Sequence, residues 1–168
     1  MRKIAVVFVA MWLLSACGYK PSSHAIENLF HHTIYVDTVV DRVEPENAPF
    51  IKDELHRLVY TRFKGRVTSK EKAESQIRIS YQGSTFTPLS YSGGYVTRYR
   101  ANVHVHFDML TKKGKLSRTI DASHEEDIQR SSLSSSTLKI TAIRRALEKA
   151  LDEFLAFVTV QGMLLEPK

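Results

Sequence analysis

The most regular pattern in the chain is an alternation of side-chain types over residues 95–109. One parity is apolar or small, with Tyr95, Thr97, Tyr99, Ala101, Val103, Val105, Phe107 and Met109. The other parity is polar, with Arg98, Arg100, Asn102, His104, His106 and Asp108. A period of two predicts one long β-strand with a buried face and a solvated face.

Three other segments predict strands that pair with this one. Residues 33–40 are rich in β-branched side chains, and residues 76–86 place Ile77, Ile79 and Tyr81 on one parity. The run Lys112-Lys113-Gly114-Lys115 predicts a hairpin turn into a further strand over residues 116–126.

Two segments have apolar residues at helical spacing. The first begins at Pro49, which suits a first helical position, and carries Phe50, Ile51, Leu55, Leu58, Val59 and Phe63. The second covers residues 138–161 with Ile140, Ile143, Leu147, Ala150, Leu151, Phe154, Leu155 and Val158, and Gly162 is expected to end it. The element order predicts an α+β two-layer sandwich, a four-stranded mixed sheet with two helices on one face, and its first two strands parallel.

The N-terminus predicts export and lipidation. Arg2 and Lys3 precede an apolar run over residues 4–14, which is shorter than the roughly 20 residues that span a bilayer. The tetrad Leu14-Ser15-Ala16-Cys17 resembles the lipobox of bacterial lipoproteins, in which the cysteine receives the lipid. We therefore expect a removed signal peptide over 1–16, a lipidated tether over 17–32 and a single domain over 33–165. The alternative is a secreted protein with a chance cysteine.

Composition narrows the possible functions. The 168 residues carry a formal net charge of +6, and removal of Arg2 and Lys3 lowers that excess by two. This bias is too small for a dedicated nucleic-acid binder. Because Cys17 is the one cysteine, a lipidated chain retains no thiol for disulfides or catalysis. In enterobacteria-like sorting, a glycine directly after the lipidated cysteine allows a lipoprotein to pass to the outer membrane, and Gly18 occupies that position.

The chain resembles the lipopolysaccharide-assembly lipoprotein family LptE. The matching features are Cys17-Gly18-Tyr19, the strand at Thr33-Ile34-Tyr35-Val36 leading to a helix, the strand around Arg98-Tyr99-Arg100, and the terminal helix with Arg144-Arg145-Ala146-Leu147. The acidic stretch over 121–127 and the serine run over 131–136 depart from that pattern. The resemblance implies a non-enzymatic outer-membrane component that sits in the lumen of a β-barrel partner, LptD, and helps load lipopolysaccharide.

Basic side chains in and after the long strand are candidates for binding the phosphates of lipopolysaccharide. They are Arg98, Arg100, Lys112, Lys113, Lys115 and Arg118, against Asp108 alone. Arg98 and Arg100 are the strongest candidates because they share one strand face. The alternative is a solvated face with a lysine turn that discourages edge pairing.

Other side-chain groups favour structural interpretations. His104, His106 and Asp108 have a spacing that permits metal ligation, but a solvated strand face explains them and no metal is predicted. We expect Tyr91, Tyr95 and Tyr99 to pack in the core and sheet, with stacking on sugars as the alternative. The acidic residues Asp121, Glu125, Glu126 and Asp127 indicate a solvated strand end rather than paired catalytic carboxylates. No nucleotide, esterase or zinc-protease motif is present, so we expect neither an enzyme nor a cofactor.

The sequence thus predicts an outer-membrane lipoprotein of lipopolysaccharide transport that acts by binding and scaffolding. Its expected partners are an LptD-like barrel, lipopolysaccharide and the membrane that holds the Cys17 lipid. The alternatives are another envelope lipoprotein adaptor, such as a cell-wall synthase activator or a secretion-complex component, and an anchored hydrolase or metal enzyme.

Overall fold

The computed structural model describes residues 22–40, 44–128 and 135–165, which form helices and strands in one continuous fold. In chain order they are α1 (Ser22–Leu29), β1 (Thr33–Val40), α2 (Asn47–Thr61), β2 (Arg66–Val67), β3 (Ser75–Ser92), β4 (Tyr95–Thr111), β5 (Gly114–Asp127) and α3 (Ser135–Met163). The expected signal peptide, Cys17 and most of the serine run lie outside the described residues.

The strands form one mixed sheet in the order β2-β1-β3-β4-β5. β1 is parallel to β2 and β3, while β3–β4 and β4–β5 are antiparallel. The α+β class and the parallel pairing of the first two predicted strands are therefore confirmed. The expectation of four strands is wrong, because β2 adds an edge strand whose register with β1 covers only Thr33↔Arg66 and Ile34↔Val67. Two residues are too few to produce a periodic pattern.

The buried face of the sheet follows the predicted parity. Ala101, Val103, Val105, Phe107 and Met109 of β4 are all buried, and β3 places Ile77 opposite Met109 and Ile79 opposite Phe107. α2 adds Ile51, Leu55, Leu58 and Val59 to this core, and α3 adds Leu147, Leu151, Phe154 and Val158. The rings of Phe107 and Phe154 stack with centroids 4.2 Å apart, which fixes α3 against β4.

A glycine bulge changes the parity of β3 part-way along the strand. Tyr81 pairs with Val105 and Ser84 with Val103, so one additional residue is accommodated between them. Gly83 has a φ of 100°, a conformation that favours glycine, at this point. As a result, Phe86 rather than an odd-numbered residue lies opposite buried Ala101.

α1 corrects the expectation that the tether extends to residue 32. Residues 22–32 were expected within the tether, but Ile26, Leu29 and Phe30 are buried in the same core as the two longer helices. The backbone N–H of Lys112 donates to the carbonyl of Leu29 at 3.0 Å, which joins α1 to the turn between β4 and β5. The described part of the chain therefore has three helices, where two were predicted.

A buried polar cluster joins the start of α2 to the bulge in β3. The Glu44 carboxylate accepts hydrogen bonds from the Tyr81 hydroxyl, from Ser84 Oγ at 2.7 Å and from Asn47 Nδ2 at 3.3 Å. Burial, and then the hydrogen bond to Glu44, raises the pKa of Tyr81. Tyr81 therefore remains a hydrogen-bond donor, and the cluster anchors the connection from β1 to α2.

Candidate functional site

The polar face of the sheet carries a row of cross-strand pairs between β4 and β5. Arg98 Nε donates to Asp127 Oδ1 at 2.5 Å, and Arg100 Nη2 donates to Glu125 Oε1 at 2.7 Å. Each arginine lies opposite its carboxylate in the strand register. The acidic stretch, predicted to be a solvated strand end, therefore balances the charge of the basic strand locally.

Both ion pairs are exposed to solvent, and both lower the pKa of their carboxylate. Hydrogen bonds from Arg100 and Arg98 lower the pKa values of Glu125 and Asp127, and the bond to Asp127 raises the pKa of Arg98. The arginine side chains are 47% and 44% exposed, so water screens both pairs. Exposed pairs of this kind exchange partners at low cost.

The two strand histidines are also held by neighbouring polar side chains. His104 Nδ1 lies 2.6 Å from Asp121 Oδ1, while His106 Nδ1 lies 2.8 Å from Thr119 Oγ1 and its Nε2 lies 3.3 Å from Asp108 Oδ1. Within residues 22–40, 44–128 and 135–165, no three His, Cys, Asp or Glu side chains are arranged to hold a metal ion. The histidines instead extend the row of cross-strand pairs along the polar face.

The six predicted basic residues do not form a single surface. Arg118 lies opposite buried Phe107, and its guanidinium stands 5.6 Å from the centroid of the Phe157 ring on the helix side of the sheet. Lys112 and Lys113 form the β4–β5 turn, and Lys115 follows at the start of β5. Arg100 and Lys112 are twelve positions apart, which is roughly 40 Å along an extended strand. The six residues therefore occupy three separate parts of the surface, and their binding to lipopolysaccharide stays a prediction.

The far ends of β3 and β4 form a long hairpin that we call the hairpin arm, residues 84–100. Gly93 and Gly94, with φ values of 59° and 82°, make its turn. Tyr91 and Tyr95 are 65% and 79% exposed, so their expected packing in the core is wrong, whereas Tyr99 is partly buried. Alternation along a strand predicts burial only where a helix covers that face of the sheet. Tyr91 and Tyr95 lie beyond the part of the sheet that the helices cover.

An open groove of about 510 Å³ lies at the opposite end of the polar face. Its side chains include Gln76, Arg78, Asp108, Leu110, Lys115 and Ser117. Arg78 Nε donates to Asp37 Oδ2 of β1 at 2.8 Å, and Leu110 is 38% exposed. Sequence reasoning missed this groove because its residues come from three strands that only the sheet order brings together.

Several solved structures share this fold. A Caulobacter crescentus lipoprotein has a TM-score of 0.57 at 11% identity, over 89% of this chain and all of the other. Rare lipoprotein B from Shewanella oneidensis gives 0.54 at 18% identity, over 79% and 99% of the two chains. Lipoprotein B from Nitrosomonas europaea gives 0.53 at 19% identity, over 74% and 79%. These identities establish the fold alone.

The sequence itself defines the family. Residues 32–157 match the LptE family, described as Lipopolysaccharide-assembly, and this is about three quarters of the chain. The protein belongs to the LptE family, and its general role is that of an envelope lipoprotein in lipopolysaccharide assembly. No curated protein sequence matches the chain significantly. Among the described helices, none is long and apolar enough to cross a membrane.

Proposed function

We propose that this protein is an outer-membrane lipoprotein that is anchored through Cys17, plugs and supports an LptD-like β-barrel, and contacts lipopolysaccharide during its transport. The observation that carries the proposal is the family match over residues 32–157, which covers the whole sheet, all of α2 and most of α3. That match favours the proposal over the alternative adaptors, a cell-wall synthase activator or a secretion-complex component.

The polar face of the sheet supports placement inside a barrel. Lumens of large outer-membrane barrels are polar and hydrated, whereas their lipid-facing surfaces are apolar. The paired charges of β4 and β5 satisfy one another, so this face can enter a polar lumen without leaving an isolated charge. The apolar face of the same sheet is already covered by α2 and α3.

The hairpin arm is the surface that we assign to lipopolysaccharide. Arg98 and Arg100 lie on its polar face, and a phosphate can replace the exposed carboxylates that they bind in the free protein. Tyr91 and Tyr95 project into solvent at the tip, and exposed aromatic rings stack on sugars. Of the other candidates, Arg118 faces the helices, and Lys112, Lys113 and Lys115 lie at the opposite end of β4.

The anchor is tested by the chemistry of the N-terminus. We expect the mature chain to begin at Cys17 with a diacylglycerol on its thiol and fatty acyl chains such as palmitate. Mass spectrometry of the native N-terminus should detect this modification. Cys17→Ala should leave the signal peptide attached or release an unanchored product. An unmodified Cys17, or cleavage at another bond, contradicts the proposed anchor.

The partner is tested by affinity purification of the lipidated chain from detergent-solubilised envelopes. We expect an outer-membrane β-barrel as the main bound protein. Recovery of a cell-wall synthase or a secretion component in place of a barrel supports the alternative adaptor and contradicts the proposal.

A further inference from the structure

One end of the fold concentrates exposed positive charge. We call it the anchor end: the β4–β5 turn, the start of β1 and β3, and residues 62–74 after α2. The turn contributes the exposed cations Lys112, Lys113 and Lys115. The segment after α2 contributes Arg62, Lys64, Arg66, Lys70 and Lys72.

The strand register places these two groups of cations at the same end of the sheet. Arg66 of β2 pairs with Thr33 at the start of β1, and the next residue of β1, Ile34, pairs with Ser75 at the start of β3. Gln76 of β3 in turn pairs with Leu110 near the end of β4. Among the described residues, the exposed acids at this end are Glu27, Glu71, Glu74 and Asp108, against eight exposed cations, so positive charge is in excess. On the hairpin arm, by contrast, Arg98 and Arg100 are matched by carboxylates.

Exposed apolar side chains lie at the same end. Val160, Met163 and Leu164, at the end of α3, are 54%, 48% and 72% exposed. The end of α3 packs against α1, whose last residue bonds to Lys112. Leu110, one strand position before the turn, is 38% exposed. Clustered cations beside exposed apolar groups are the combination with which proteins bind an anionic bilayer surface.

The chain length between the anchor and the fold brings this end close to the membrane. α1 starts at Ser22 and its eight residues span about 12 Å. Four residues lie between Cys17 and Ser22, so five Cα-to-Cα steps join them, and an extended chain of that length reaches at most about 18 Å. A lipid on Cys17 therefore lies within about 30 Å of Lys112, whereas the hairpin arm lies farther away along β4.

We propose that the anchor end binds the anionic phospholipid headgroups of the leaflet that holds the Cys17 lipid, with the end of α3 touching the acyl boundary. This inference rests on the proposed lipidation of Cys17. It gives the domain a fixed orientation: the anchor end against the leaflet, and the hairpin arm directed away from it. The barrel and lipopolysaccharide surfaces proposed above lie on other parts of the fold and stay accessible.

The test removes the covalent anchor and measures what remains. The chain from residue 17 onward with Cys17→Ser contains every described residue and no acyl chain. We expect it to co-sediment with phosphatidylethanolamine vesicles that contain phosphatidylglycerol, to be released by salt, and to bind phosphatidylcholine vesicles weakly. Equal binding to both vesicle types overturns the proposal.

A matched pair of variants locates the surface. Lys113→Ala with Lys115→Ala should lower the partition coefficient about 30-fold, because each lysine near an anionic surface contributes about 1 kcal/mol and 1.4 kcal/mol is tenfold. Lys112 is left intact because its Nζ donates to the Glu27 carbonyl at 2.6 Å and holds α1. Arg98→Ala with Arg100→Ala removes as many cations from the hairpin arm and should leave vesicle binding unchanged.

The outcomes separate this inference from the proposed function. If the lysine variant binds vesicles as the parent does, the anchor end is not a phospholipid surface. If the lysine variant instead loses binding to lipopolysaccharide micelles and retains vesicle binding, the turn is a lipopolysaccharide site and the inference is again wrong. Failure to recover a barrel contradicts the proposed function without affecting either vesicle result.

Discussion

Gly162 of α3 lies directly against the backbone of Ala25 in α1. A Cβ at position 162 would stand 1.9 Å from the Ala25 carbonyl oxygen and 2.5 Å from its carbonyl carbon. Gly162 was expected to end the terminal helix, but α3 continues to Met163. Glycine is needed at position 162 because α1 and α3 meet there. The contact holds α1, and with it the anchor end, against the rest of the fold.

We predict that Gly162→Ala destabilises the protein. In a helix interior this change alone should stabilise by up to about 1 kcal/mol, because alanine has the higher helix propensity. Here the new methyl group forces α1 away, so the free energy of unfolding should fall instead. Chemical denaturation gives the sign, and the neighbouring variant Gln161→Ala is the control. An increase in stability for Gly162→Ala would show that α1 does not dock on α3.

Removal of a buried leucine tests the packing of α3. Leu151 is 5% exposed within the core, so Leu151→Ala should lower the free energy of unfolding by about 2 to 5 kcal/mol. Leu164→Ala removes the same atoms at a position 72% exposed and should change stability by less than about 0.5 kcal/mol. Equal effects in thermal or chemical unfolding would mean that this face of α3 is not in the core.

The Arg100–Glu125 pair should be visible in a carboxyl titration. Folding lowers the pKa of Glu125, so the pair stabilises the fold above the ordinary glutamate pKa and loses that contribution as pH falls through the lowered value. Arg100→Gln should raise the pKa of Glu125 towards its ordinary value in an NMR titration. Arg118→Gln, on the other face of the sheet, should leave it unchanged. An unaltered pKa in Arg100→Gln would contradict the pairing.

Arg98 and Arg100 should contribute to lipopolysaccharide binding. Their replacement by Glu would also set like charges against Glu125 and Asp127, so Gln is the cleaner substitution. We expect Arg98→Gln with Arg100→Gln to weaken binding at low salt about tenfold, because exposed charge contacts contribute up to about 1 kcal/mol each. Unchanged affinity in the folded variant would direct the search to Lys112, Lys113 and Lys115.

Much of the sheet could be predicted because β4 has one wet and one dry face. The burial of Val103, Val105 and Phe107 agrees with the two-residue alternation, which is visible in the sequence itself. β2 and α1 could not be predicted in the same way. Two residues have no period, and the burial of Ile26 and Leu29 depends on their docking beside α3 rather than on a long amphipathic pattern.

The strand face on which each site residue lies could be predicted, but its cross-strand partner could not. Parity correctly placed Arg98 and Arg100 together, but their partners depend on the register of β5. That register is set at the turn, where Thr111 pairs with Gly114, and counting back from this pair gives Arg100 opposite Glu125. The turn residues therefore contained the signal that would have joined the acidic and basic stretches. The exposure of Tyr91 and Tyr95 depends on where the helices end, and no local sequence pattern indicates how far along the sheet they reach.

Site-specific photocrosslinking tests whether the polar face enters the lumen of an outer-membrane barrel. Thr87 is exposed on that face opposite Arg100, and Lys70 is exposed at the anchor end. A photoreactive side chain at position 87 of the lipidated protein should form an adduct with an outer-membrane β-barrel, and the same group at position 70 should not. An adduct at position 87 with a cell-wall synthase or a secretion component, or a barrel adduct confined to position 70, would contradict the account.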